Sequence, residues 1–361
     1  MVNAGSSSLK LSVLDDGDRL VASGNLPAPQ GRVDEDALRE AVSTNGPVQA
    51  VGHRIVHGGT EFVEPVLIDQ SVLRRLHALT DLAPLHQPKA LRGVEVVGRA
   101  LPGVPAVASF DTAFHARMPP AASTYALPPE WRKRWDLRRF GFHGLSHAYA
   151  SRRAADLLGR PVESVRIVTC HLGAGASLAA VRNGVSVDTT MGFTPLEGLV
   201  MATRSGSVDP GLVLWLEEHV GMPPSELAST LEHRSGLFGL TGTADMRAIL
   251  EAERAGDAAA ALAVEVYLHR LRGGIASMAA AMDGLDAVVF TGGVGERSPS
   301  IRSRACGGLS FLGVAVDPEA NDTAEPDAEI GSPRARVRAF LVEAREDLQI
   351  AHDVRTVLAG R

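Results

Sequence analysis

Apolar and polar residues alternate with period two over residues 8–14 (SLKLSVL), the signature of a strand with one buried face. Asp16-Gly17 follows as a turn signal, and residues 19–23 (RLVAS) continue, so the pattern predicts a β-hairpin. The run at 166–172 (RIVTCHL) reads as a buried strand. Residues 177–181 (SLAAV), the Asn183-Gly184 turn and residues 185–190 (VSVDTT) predict a second hairpin. Residues 286–291 (DAVVFT) predict a further strand, running into a Gly292-Gly293-Val294-Gly295 turn. Ala- and Leu-rich stretches at 257–282 and 347–359 predict helices, and the acidic, Pro-containing stretch 319–335 predicts a surface loop. Short strands among amphipathic stretches indicate an α/β fold.

Both hairpins open on tiny residues. Gly5-Ser6-Ser7-Ser8-Leu9 leads into the first, and Gly173-Ala174-Gly175-Ala176-Ser177-Leu178 into the second. Ser8 and Ser177 lie 169 residues apart in a chain of 361. Two readings stand: coincidence among small residues, or a duplicated hairpin unit, one per domain, aiming backbone N–H groups at a shared anion. The length suits two domains, or three small ones.

Composition narrows the classes. Hydrophobic residues are 45% and charged residues 22%, ordinary values for a globular chain. The formal net charge of −6 argues against a dedicated nucleic-acid or polybasic membrane protein. Only Lys10, Lys89 and Lys133 are lysines among 36 basic residues, so an anion site must use Arg forks or backbone amides. Cys170 and Cys306 make no disulfide framework, no apolar run is long enough to span a membrane, and no signal peptide is evident; a cytoplasmic protein is expected. GxxxxGK[ST] and HExxH are absent, GxSxG is absent too, and no GxGxxG stands in a dinucleotide-binding context. His53/His57 and His143/His147 are spaced to share a helix face, but a zinc site needs further ligands.

Asn3, Arg54, His86, Asp111, His143, His171, Arg204 and Glu346 stand in apolar or Gly-rich surroundings. Each alone is more often structural; Asp111 before Thr112, for example, suits a helix cap. Together, two Arg, one Asp, several His and three Gly-rich turns are what phosphoryl transfer requires.

Several long stretches resemble the acetate kinase family, in matching order: Asn3–Lys10 (NAGSSSLK), Gly52–Gly59 (GHRIVHGG), Ala83–Pro88 (APLHQP), Phe110–His115 (FDTAFH) and Arg139–His147 (RFGFHGLSH). Cys170–Ser177, Met191–Pro210, Phe290–Ser298 and Glu346–Asp353 continue the series. The resemblance implies two RNase H-like domains of the actin-like ATPase class, with nucleotide in the interdomain cleft. The expected division is residues 1–115 with 349–361 as a shortened N-terminal domain, and 116–348 as a nucleotide-binding, dimer-forming domain.

It further implies reversible phosphoryl transfer from ATP to acetate, giving ADP and acetyl phosphate, with Mg²⁺ (Mn²⁺ as a substitute). Asp111, Arg54, His143 and Arg204 match the catalytic positions. Arg54 is assigned to the substrate carboxylate, Arg204 and His143 to the transition state. Asn3 and Glu346 match the metal-binding pair, and Val56, Leu85, Phe142 and Pro195 the pocket for the substrate methyl. Lys10, His171, Leu172, Gly173, Ala174, Gly175, Asp245, Met246, Arg247, Thr291, Gly292, Gly293, Val294 and Gly295 match the nucleotide contacts. A homodimer is implied, and neither nucleic acid nor membrane is an expected partner.

Acetate is already ionised at pH 7, so Asp111 is expected to organise the metal rather than take a proton. The chain also departs from the family. Ala174 replaces a usual Asn, Arg297 replaces another, the stretch between Lys10 and His53 is about thirty residues short, and only Met1-Val2 precede Asn3. Two alternatives follow: a kinase for propionate or another short carboxylate, and a catalytically weakened nucleotide-binding paralogue.

Overall fold

A computed structural model of the chain describes residues 1–4, 8–27, 36, 38–40, 47–84 and 86–360. Its contacts group into two compact units. Unit 1 comprises Met1–Ala116, Phe142–Tyr149 and Arg345–Arg361; unit 2 comprises Arg117–Gly141 and Ala150–Ala344. The helices that bear on the site are α1 (Gln87–Ala100), α2 (Gly144–Leu157), α3 (Pro210–Glu218), α4 (Met246–Arg254), α5 (Ala258–Ala281), α6 (Gly292–Arg297) and α7 (Glu346–Ala359).

Unit 1 is built on β1 (Val2–Ala4), β2 (Ser8–Leu14), β3 (Leu20–Pro27), β4 (Val51–Ile55), β5 (Val66–Leu67) and β6 (Ala106–Phe110). They form one sheet in the order β3-β2-β1-β4-β6-β5. The predicted first hairpin is β2–β3; the Asp15 carboxylate accepts from Gly17 and Arg19 N–H and so ties the turn. Alternation along β4 decides what covers the sheet. Val51 clusters with Val96 and Val97 of α1, and Ile55 with Leu91 and Val94. Gly52 faces the other way, where a Cβ would lie 2.2 Å from Ile350 and 2.9 Å from Val354 of α7. Glycine thus lets the final helix lie directly on the strand, sealed by Val107 and Leu145.

Unit 2 uses β7 (Arg166–Leu172), β8 (Ala176–Arg182), β9 (Val185–Thr189), β10 (Ala287–Thr291), β11 (Ala328–Glu329) and β12 (Arg338–Leu341). Their order, β9-β8-β7-β10-β12-β11, repeats that of unit 1 strand for strand. In each, an antiparallel meander is joined in parallel through its first strand to the fourth, the fourth pairs in parallel with the sixth, and a two-residue fifth strand lies antiparallel on the edge. The duplicated unit is therefore the correct one of the two readings. Val288, Val289 and Phe290 are fully buried, each worth about 1.5–3 kcal/mol of transfer free energy. The long helix predicted at 257–282 is α5; Gly274 admits it against Leu178, where a Cβ would come within 2.7 Å.

Two expectations need correction. Residues 319–335 are more than a surface loop. The segment holds part of the helix Pro318–Thr323 and strand β11, and Ile330 is fully buried because its amide donates to Ala339 on the neighbouring strand. Gly292-Gly293-Val294-Gly295 is the first turn of α6. Gly292 has φ +78°, and its N–H is satisfied by the Glu296 side chain one turn on.

Candidate active site

In unit 1 the chemistry gathers at the carboxyl ends of the parallel strands, where α/β sheets open onto ligands. Register sets the row. Asn3 of β1 stands opposite Lys10 of β2, and Arg54 of β4 opposite Ser109 of β6. Val2 pairs with His53, placing Asn3 and Arg54 at the same level of adjacent strands. Asp111 follows β6 directly, with its amide tied to the Ile55 carbonyl at 3.0 Å. Glu346 opens α7.

These residues close into one ionic cluster. Arg54 donates from Nε to Asp111 Oδ1 at 2.9 Å and from Nη2 to Oδ2 at 2.7 Å, a bidentate fork. Its Nη1 lies 3.1 Å from Glu346 Oε2. Burial alone would lower the Arg54 pKa, but Asp111 and then Glu346 outweigh it, and the guanidinium stays charged. Burial pushes the Glu346 carboxyl up; Arg54 opposes this, while Asp111 and Asp347 add to it, and Lys10 helps Arg54. Two of the five N–H donors of Arg54 are thus hydrogen-bonded to Asp111, and Nη1 faces Glu346 as an ion pair. The capping role open to Asp111 is not the one found: Thr112 begins the short turn Ala113–His115, and Asp111 serves Arg54.

Magnesium takes oxygen donors, commonly one or two carboxylates with substrate oxygens and water completing its shell. The residues present fit that demand. Asp111 and Glu346 converge, the Asn3 amide belongs to the adjoining strand, and buried Glu346 favours a neighbouring positive charge. No group of three His, Cys, Asp or Glu suited to a metal occurs among the described residues. His53 and His57 do not share a helix: His53 lies in β4, and His57 follows it.

His143 precedes α2 with a left-handed backbone, φ +57°. Its ring lies 6.5 Å from that of His147, which lies 5.7 Å from that of His115. Phe142 is 1% exposed, its ring edge-on to His57 at 5.5 Å; Val56 is half-buried. Leu85, and Gly5–Ser7 of the first tiny-residue turn, lie outside the described residues.

Unit 2 places glycines where unit 1 has charges. His171 and Thr291 are partners at the ends of β7 and β10, so the segments they lead into run side by side. Gly173 N–H donates to Gly175 O at 2.9 Å, closing the first turn. A Cβ on Gly292 would meet the Leu172 backbone at 3.0 Å. Leu172 is buried, Ala174 is exposed, and the Ala174 carbonyl accepts from Ala202 N–H. That bond anchors the loop bearing Arg204, whose Nη1 donates to Pro195 O at 3.3 Å. Burial lowers the Arg204 pKa, with Glu232 opposing. Asp245 caps α4 by accepting from Arg247 N–H; Met246 is buried, and the Arg247 side chain is exposed.

Sequence reasoning missed several supports. Ser109 is fully buried beside Arg54, and Oγ has no partner among the described residues. Thr291 Oγ1 is likewise buried and unpartnered beneath the glycines of α6. Glu296 accepts from Gly292 and Ala344 N–H, and Arg302 reaches the Gly295 and Glu296 carbonyls. A charged residue directly after a Gly-rich segment was the available signal.

A family model described as the Acetokinase family matches residues 30–352. The chain is 49% identical to an acetate kinase from a Synechococcus strain, covering 87% of this chain and 77% of that protein. It superposes on the crystal structure of Porphyromonas gingivalis acetate kinase with a TM-score of 0.91 and 35% identity, covering 99% and 98% of the two chains. A propionate kinase from Francisella tularensis gives a TM-score of 0.90 and 34% identity over 98% and 97%.

Proposed function

The chain belongs to the acetokinase family, which assigns it phosphoryl transfer between ATP and acetate, and from that premise we propose how its own residues divide the work. The observation that carries the reading is Arg54 held between Asp111 and Glu346 on one sheet face. Unit 1, which holds Arg54, Asp111 and Glu346, supplies side-chain charge. Unit 2 supplies backbone donors and Arg204.

Acetate enters as the carboxylate and needs no base. Arg54 receives it on N–H groups outside its fork to Asp111. Its methyl meets Val56, Leu85, Phe142 and Pro195, which exclude water. The carboxylate oxygen forms a bond to the γ-phosphorus as the bond to the bridging oxygen breaks, and ADP leaves with that electron pair. Arg204 and His143 donate to the oxygens of the transferring group. Lys10, the His171–Gly175 turn and Thr291–Gly295 hold the nucleotide, with Asp245, Met246 and Arg247 at its adenosine end. Asn3 and Glu346, with Asp111 beside them, hold Mg²⁺ or Mn²⁺, which when bound neutralises charge on the phosphate oxygens.

Two further points belong to this reading. Leu212, Leu214 and Trp215 of α3 are 47%, 55% and 51% exposed, with Val208 and Val220 nearby in sequence; these exposed apolar side chains support a homodimer. Cys170 and Cys306 are free and buried, in keeping with a reducing cytoplasm. No helix of the described residues is long and apolar enough to cross a membrane.

A coupled ADP-release assay with acetate, with hydroxylamine trapping of acetyl phosphate, tests the reading. Absence of turnover with bound ATP would favour the weakened paralogue. The propionate kinase neighbour gives the second reading a specific footing. An apolar pocket separates acids differing by one methylene by only about 1–3 kcal/mol, so propionate is expected as the weaker substrate. A higher kcat/KM for propionate would reverse the assignment.

A further inference from the structure

His143 is the strained point of the site. Its backbone is left-handed, a conformation that side chains other than glycine seldom adopt without support. The support comes from the segment that carries Asp111. Gly144 N–H, directly after His143, donates to the Asp111 carbonyl at 2.9 Å. A Cβ on Gly144 would fall 2.2 Å from that oxygen, so only glycine permits the approach. Directly before His143, the Phe142 carbonyl lies 3.1 Å from His115 Nε2.

His115 is fully buried, and burial holds its pKa down to about 4, against the pull of the Phe142 carbonyl and Asp111. The imidazole is therefore neutral in the working range. A carbonyl can only accept, so the ring proton must sit on Nε2. One bond before His143 and one after it thus pin the strained residue to residues 111–115. Thr112 anchors that segment in turn, its Oγ1 accepting from Gly58 N–H at 3.0 Å.

We propose that His115 is a positioning residue of the reaction: its Nε2–H locks the Phe142–His143 peptide and so aims the His143 ring. It touches neither substrate nor nucleotide. It makes the direction of His143 depend on the strand end that delivers Asp111 to Arg54. The inference rests on His143 being the donor to the transferring phosphoryl group.

The test is kinetic, with thermal unfolding as the control for folding. His115→Phe keeps a ring and removes the donor. Its kcat is expected to fall about 10–100-fold, the scale of a misplaced catalytic group, with KM for ATP within about twofold. His115→Gln returns an N–H at the Nε2 position and is expected to recover most of the rate. His115→Asn is one methylene too short and is expected to behave like Phe; it replaces that arm if the Phe variant does not fold. In a double-mutant cycle with His143→Ala, the His115→Phe loss is expected to vanish. Losses that multiply in the double variant, equal rates for Gln and Asn, or an unchanged kcat in His115→Phe would each overturn the proposal. A wild-type rate in His143→Ala would instead remove the role assigned to His143, which separates the two failures.

Discussion

The two sheets share one strand order but carry different groups at their strand ends. Unit 1 ends its strands in Arg54 and Asp111, a forked ion pair that Glu346 completes. Unit 2 ends β7 and β10 in glycines, where backbones approach too closely for side chains. In the proposed reading Arg54 keeps its fork on Asp111 and takes acetate on its remaining N–H groups. Backbone amides cannot move, and suit a phosphate chain that always lies in the same place. One topology thus carries side-chain charge at one set of strand ends and close-packed glycine backbone at the other, and function is a property of what the strand ends carry.

The contrast is breakable. The largest effect expected is on stability in acid, and it falls on unit 1. His57 and His115 are buried there, each with its pKa lowered to about 4 by burial. Such groups bind a proton in the unfolded chain and not in the folded one. Their stabilising contribution is full above about pH 6.5 and is lost as pH falls toward 4. At pH 5 the loss is about 2 kcal/mol for each. Hydrogen exchange at pH 5 and pH 7 should show β4 and β6 losing protection before β7 and β10; the reverse order would refute the assignment.

Next comes Asp111→Asn, which keeps the shape and removes the charge. A fall in kcat of about 10³-fold, or about 4 kcal/mol, is expected, with no new acid limb in the pH–rate profile. A shifted limb would mean that Asp111 transfers a proton after all.

Gly292→Ala probes the rigid side. The positive φ and the Leu172 backbone at 3.0 Å give the methyl no room. A stability loss of about 1–3 kcal/mol and a raised KM for ATP are expected, with KM for acetate little changed. Equal effects on both KM values would blur the distinction between the units.

The smallest effect concerns Ala174, which is exposed on the first turn. Restoring the family residue with Ala174→Asn adds one donor, and KM for ATP should fall by about threefold, within the net value of one hydrogen bond. An unchanged KM would mean that the backbone amides alone suffice.

Much of this was legible in the sequence where the signal is local. Alternation and the Asp16-Gly17 and Asn183-Gly184 turns marked both hairpins, and the apolar runs marked β7 and β10. What escaped was non-local or too short. β5 and β11 have two residues each and leave no periodic trace, yet they complete the match between the sheets. The Arg54–Asp111 fork joins residues 57 positions apart, and no spacing rule reaches that far. Residues 319–335 looked solvent-exposed because acidic side chains outnumber the one buried Ile330 that places the edge strand. His115 read as the end of a motif; its role depends on a carbonyl 27 residues away.

The packing of Gly52 beneath Ile350 and Val354 has a consequence for synthesis. The cover of that sheet face is α7, which follows both segments of unit 2 in the chain. During synthesis unit 2 can consolidate first, while the earlier-made strands β1, β4 and β6 keep one face open until α7 has been made. The unit whose strands are made first is thus the unit completed later.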